Sequence, residues 1–101
     1  MKNGILSYGL VCLDLLRRKV YVKGESMVVR NKEFQLLKYF IQNVGRVKTR
    51  MEILEEVWDR NWCSNTNTVD VHVWSLRNKL KCYLGCECIR TVHCVGYIFE
   101  L

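Results

Sequence analysis

Apolar positions along this chain follow two different spacings, and the switch between them divides it into parts. Over residues 5–29 they come in short runs. Leu10, Leu13, Leu15 and Leu16 are followed by Val20, Tyr21 and Val22, then by Met27, Val28 and Val29 beyond a turn at Lys23-Gly24-Glu25. Runs of this length, broken by a glycine-containing turn, predict a small antiparallel sheet. From Asn31 the spacing becomes helical: Phe34, Leu37, Phe40 and Ile41 recur at three and four residues, with Gly45 placed as the C′ residue that ends the helix. Arg30 precedes this helix, which leaves Asn31 to act as its cap.

Thr49-Arg50-Met51-Glu52 is a capping box, and it announces a second helix with Ile53, Leu54, Val57 and Trp58 on its apolar face. After a polar loop, Asp59 to Asn65, a third helix starts near Thr66 and stops near Gly85. Val69, Val73, Leu76 and Leu80 form one stripe along it, with His72 beside them. The opposite side carries Asn67, Asp70, Val71, Trp74, Asn78 and Lys81. Strand spacing then returns at Ile89 to Val92 and Tyr97 to Glu100, with Gly96 in the intervening turn. The predicted class is α+β: an N-terminal antiparallel sheet, three helices and a closing hairpin, in one domain spanning 1–101.

Length and composition agree with that organisation. A chain of 101 residues supports one modest core, and half hydrophobic with a quarter charged is ordinary globular composition. The net charge of +6 favours an anionic partner without demanding one. The excess is not concentrated in the third helix and hairpin, where Arg77, Lys79, Lys81 and Arg90 face Asp70 and Glu87; part of it is the early run Arg17-Arg18-Lys19. The first sixteen residues imitate a signal peptide, but Asp14 interrupts the apolar run and no small-x-small site follows. No segment has the roughly 18 apolar residues that span a bilayer. The six cysteines therefore fit a reducing cytoplasm better than a disulfide framework.

The third helix carries the chemistry. Val71 and Trp74 fall where a merely structural helix would place charge, so either this side is a contact surface or the sheet or hairpin covers it. As the second helix of a helix-turn-helix it would enter the major groove with Asn67, Asp70 and Val71 toward base edges. Asp70 can accept from a cytosine amino group, and Val71 can pack on a thymine methyl. Arg77, Asn78 and Lys81 would reach phosphates, while Lys79 is expected to be a solvated surface charge.

These residues also carry a resemblance. Lys32-Glu33-Phe34-Gln35-Leu36-Leu37, Asn43-x-Gly45, Ile53-Leu54-x-x-Val57-Trp58, the run Asn67 to Leu80, and Thr91-Val92-x-x-x-Gly96-Tyr97-x-Phe99 resemble the winged helix-turn-helix output domain of OmpR/PhoB-type response regulators. The likeness runs over about residues 8–100, in the family's order. It implies a four-stranded N-terminal sheet, a recognition helix over about 66–83 in the major groove, and a wing over about 89–100 at the minor groove. It further implies a monomer pairing head-to-tail on direct repeats of double-stranded DNA, with loop 59–65 meeting RNA polymerase. Asp70, Val71 and Ser75 would face bases, with His93 where the wing reaches the minor groove. Trp58, Asn67, Thr68, Trp74, Arg77 and Tyr97 would approach phosphates. Such regulators carry a phosphoacceptor receiver domain ahead of the output domain, and the 101 residues are expected to hold only the latter.

The chain departs from the pattern where arginine is common in the family, at Asn67, Trp74, Ser75 and His93, and at Cys94, where glycine is common. Fewer cations flatten the salt dependence of DNA binding, and Ser75 cannot make arginine's bidentate contact to guanine. His93 is cationic only in part near neutral pH. Two alternatives follow. One is a protein-docking winged helix using Val71, Trp74 and Trp62. The other is a metal or redox sensor built from Cys82, Cys86, Cys88, His93 and Cys94. An extended strand separates Cys88 from Cys94 by roughly 15–20 Å, which disfavours a single shared metal site, and C-x3-C-x-C is no structural zinc pattern. No cofactor or metal is expected. No Ser-His-Asp set, paired carboxylates or glycine-rich phosphate loop is visible, so the chain is not expected to be an enzyme.

Overall fold

A computed structural model describes residues 4–58 and 66–100. Four short strands open the chain: β1 (Ile5–Tyr8), β2 (Val11–Asp14), β3 (Lys19–Val22) and β4 (Glu25–Met27). They pair in chain order, each antiparallel to the next. This is the expected four-stranded sheet, with shorter strands than the apolar runs suggested. Leu16 lies in the β2–β3 turn and Val28 beyond β4, and both are exposed. The turn is built by Asp14, whose buried carboxylate accepts the backbone N–H groups of Leu16 and Arg17 at 3.1 and 3.0 Å. The run Arg17-Arg18-Lys19 is therefore a turn; Arg18 reaches back over the Phe34 ring, 4.8 Å from its centroid.

Helix α1 (Asn31–Gln42) buries Phe34, Leu36, Leu37, Phe40 and Ile41. Arg30, not Asn31, is its N-cap, and the Arg30 N–H donates to Glu33 Oε1 at 2.8 Å. Asn31 instead accepts a hydrogen bond from Arg18. At the other end Asn43 is the C-cap, so Gly45 lies two residues past it rather than at C′. Gly45 still needs to be glycine-like: its φ is 77°, and in that conformation its N–H donates to the Phe99 carbonyl at 2.9 Å.

Strand β5 (Val47–Thr49) then leads directly into helix α2 (Arg50–Val57). Periodicity missed β5, because three residues with one apolar side chain carry no period. The capping box holds as expected: Glu52 N–H donates to Thr49 Oγ1 at 3.1 Å, and Thr49 N–H to Glu52 Oε1 at 2.9 Å. Helix α3 (Thr66–Leu84) follows, then the hairpin of β6 (Ile89–Val92) and β7 (Gly96–Phe99). Strand β7 is central in a second sheet, between β5 and β6.

That position explains Gly96, which is the first residue of β7 and not part of the turn. It pairs with Thr49 on one side and Val92 on the other, and a Cβ there would sit 2.0 Å from the Lys48 carbonyl oxygen. The tip of the hairpin is 93–95, with Cys94 in the left-handed region at φ 63°. The core joins both sheets to the helices through Phe40 stacked on Phe99 at 6.1 Å, with Tyr8 against the same Phe99 ring at 5.7 Å. Each large side chain fully buried there contributes roughly 1.5–3 kcal/mol.

Candidate nucleic-acid interface

Helix α3 is two-sided, as its sequence requires. Val69, Val73, Leu76 and Leu80 are completely buried, which fixes the rotation of the helix about its axis. The other side is open along its length. Asn67, Val71, Trp74, Asn78 and Lys81 are exposed, with Val71 at 62% and Trp74 at 65%. The covered alternative is excluded: neither the sheet nor the hairpin packs over Val71 and Trp74.

A buried carboxylate helps hold α3 in this orientation. Glu33 on α1, 1% exposed, accepts from Ser75 Oγ at 2.5 Å and from Lys79 Nζ at 2.6 Å. Burial pushes its carboxyl up, but the Arg30 N–H, the Lys79 and Ser75 hydrogen bonds and the Lys79 charge outweigh that, leaving it below the ordinary carboxylate range. Lys79 is thus no solvated surface charge but half of a partly buried ion pair. Ser75 turns its hydroxyl inward to α1 and away from the open face. Glu33 itself was not singled out in the sequence, although a glutamate three residues after the N-cap is the signal that could have found it.

A second network ties α3 to α2 and the hairpin. Asp70 Oδ1 accepts from Arg50 Nε at 2.9 Å and from the Tyr97 hydroxyl at 2.6 Å. Burial, then the bond to Asp70, raise the Tyr97 hydroxyl above the usual phenol range. Arg77 lies over the Tyr97 ring, 5.7 Å from its centroid, and donates from Nη2 to Thr91 Oγ1 at 2.9 Å. Arg50 and Thr91 carried no sequence signal for this, because their partners are 20 and 14 residues away.

The remaining expected site residues fall in three settings. Trp58 and Tyr97 are each only 6% exposed, Trp58 being packed edge-on against His72 at 5.0 Å. Thr68 is half-buried, its carbonyl 2.8 Å from His72 Nδ1. His93 is exposed at the hairpin tip. Loop 59–65, with Trp62 and Cys63, lies outside the described residues.

The described cysteines sit in different settings. Cys82, Cys86 and Cys94 are exposed, Cys12 is half-buried, and Cys88 is buried, where desolvation pushes its thiol up to about 11. Among the described residues no group of three or more His, Cys, Asp or Glu side chains is placed to hold a metal ion. No helix among them is long and apolar enough to cross a membrane.

A four-stranded sheet, three helices and a closing hairpin are the frame the resemblance leads one to expect, and comparison with known proteins agrees on it. Residues 24–99 match the family described as transcriptional regulatory protein, C terminal. The chain belongs to this family, the DNA-binding output domains of OmpR/PhoB-type response regulators. It is 41% identical over 81 residues to sensory transduction protein RegX3 of Mycobacterium tuberculosis, covering 80% of this chain and 36% of that protein. It is 40% identical over 89 residues to transcriptional regulatory protein CusR of Escherichia coli K12, covering 88% of this chain and 39% of that protein. The chain therefore spans well under half the length of these relatives. The DNA-binding domain of Klebsiella pneumoniae RstA, solved in complex with RstA box, superposes with a TM-score of 0.81 at 26% identity, covering 95% of this chain and 96% of that one.

Proposed function

We propose that this output domain binds sequence-specific sites in double-stranded DNA in the bacterial cytoplasm to regulate transcription, as part of a two-component system. In this reading α3 enters the major groove and the hairpin of β6 and β7 is a wing at the minor groove. The observation that carries it is the open face of α3, whose rotation is set by four fully buried residues on the other side. Val71 faces base edges at the centre of that face. Asp70 can join it only through Oδ2, since Oδ1 already holds Arg50 and Tyr97. His93 meets the minor groove from the wing tip. Asn67, Thr68, Arg77, Asn78 and Lys81 approach phosphates, which fixes register without reading sequence; Trp74, for which a phosphate contact was also expected, is uncharged and lies exposed beside Val71. Trp58 and Tyr97, being nearly buried, can offer a phosphate only an edge. Ser75, whose hydroxyl is turned to Glu33, positions the helix rather than reading a base.

The same reading has the domain monomeric in solution, paired head-to-tail on direct repeats, with loop 59–65 toward RNA polymerase. It requires no cofactor and no catalytic residue. Selection from a randomised duplex pool tests it by reporting specificity and repeat spacing together. Val71→Asp, at an exposed position, is expected to abolish binding to the selected duplex with folding intact. Lys81→Ala is expected to weaken it about equally on all sequences and reduce the salt slope by about 0.9. Unchanged binding by both variants refutes this orientation.

A further inference from the structure

The open face of α3 has an unusual centre for a surface that meets a polyanion. Its two middle positions are apolar and largely exposed, Val71 and Trp74, while its charge lies around them: Arg50 beside Asp70 at one end, Lys81 at the other. Two neighbours that could read hydrogen-bonding patterns are engaged within the protein, Asp70 through Oδ1 and Ser75 through its hydroxyl. At its centre the face offers a groove floor hydrocarbon and an indole. The major groove presents one apolar group, the C5-methyl of thymine.

We infer that the site this domain prefers carries thymines in the major groove under Val71 and Trp74, read through their methyl groups. This rests on the DNA-binding reading above and specifies the chemistry of the site. Three residues of helix separate Val71 from Trp74, a rise of about 4.5 Å. Base pairs stack at about 3.4 Å, so the two thymines are neighbours or next but one. The cations around the patch complement the phosphates that flank such a step, which selects a duplex over an apolar protein as the occupant.

Deoxyuridine tests this directly, because it pairs as thymidine does and lacks only the methyl. The site selected by the intact chain is resynthesised with each thymine replaced in turn, and dissociation constants are measured at one salt concentration. Burial of one methyl-sized group corresponds to about a fourfold change in affinity. The expected result is a loss of that size at two positions, adjacent or next but one, and none elsewhere. Val71→Ala is expected to erase the penalty at one of them and keep the other; Trp74→Ala does the converse. Both side chains are exposed, and matching thermal melts show that the variants remain folded. A specific site indifferent to uracil, or a penalty that neither variant moves, overturns the inference and leaves DNA binding standing. Failure to enrich or bind any duplex, even at low salt, overturns both.

Discussion

Replacing Glu33 by glutamine is expected to destabilise the domain by about 2–4 kcal/mol while keeping the volume of the side chain. The carboxylate is 1% exposed and takes the Arg30 N–H at 2.8 Å, the Ser75 hydroxyl at 2.5 Å and the Lys79 ammonium at 2.6 Å. Glutamine keeps one acceptor oxygen but presents N–H groups to a second donor. Hydrogen bonds to a charged group contribute roughly 1.5–3 kcal/mol, and breaking a buried ion pair costs roughly 3–5 kcal/mol. Lys79 is 33% exposed and can turn to water, which places the expectation toward the lower part of those ranges. For a domain of this size the loss lowers Tm by about 10–20 °C.

The pH dependence has a definite sign. Glu33 is held below its ordinary value of 4.5, so its stabilisation is complete above that pH and lost as pH falls toward the lower folded value. Urea melts of both proteins from neutral pH down to about 3 are the assay. The native protein should lose stability faster than Glu33→Gln below about pH 4.5, so that the two curves converge. A double-mutant cycle with Lys79→Met is expected to give a coupling of at least about 1 kcal/mol. A cost under about 0.5 kcal/mol for Glu33→Gln, or parallel pH curves, would refute the reasoning.

Three further outcomes follow from the geometry. Gly96→Ala places a methyl 2.0 Å from the Lys48 carbonyl oxygen, so β5 and β7 must separate; a loss of about 3 kcal/mol or more is expected in thermal melts, and an unchanged Tm would contradict the close approach. Asp70→Asn weakens an exposed ion pair and costs about 1 kcal/mol or less in stability, yet it loosens the hairpin from α3, so DNA affinity should fall more than stability does. Among the described cysteines, a thiol reagent at pH 8 should modify Cys82, Cys86 and Cys94 well before Cys88, which is buried with its thiol pushed up to about 11; mass spectrometry of partly labelled protein reads the order.

The sequence by itself determined whatever depends on neighbours in the chain. The stripe Val69, Val73, Leu76 and Leu80 dictated which side of α3 packs into the core, whereas only the tertiary structure decided that Val71 and Trp74 on the other side stay uncovered. Thr49 and Glu52 dictated where α2 begins. These are local rules, since helical periodicity and capping are satisfied within a few residues. Only the tertiary structure decided what each polar group on or near α3 is free to do. It made Lys79 a partner of Glu33, 46 residues away, and turned Ser75 toward the same carboxylate, 42 residues away. It engaged one oxygen of Asp70 with Arg50 and Tyr97. It also put β5 in register with β7, which is why residue 96 is glycine. Apolar burial is nearly indifferent to the identity of its partner and so shows in periodicity, whereas a hydrogen bond needs one particular donor at one particular distance, which the packing of distant segments alone supplies.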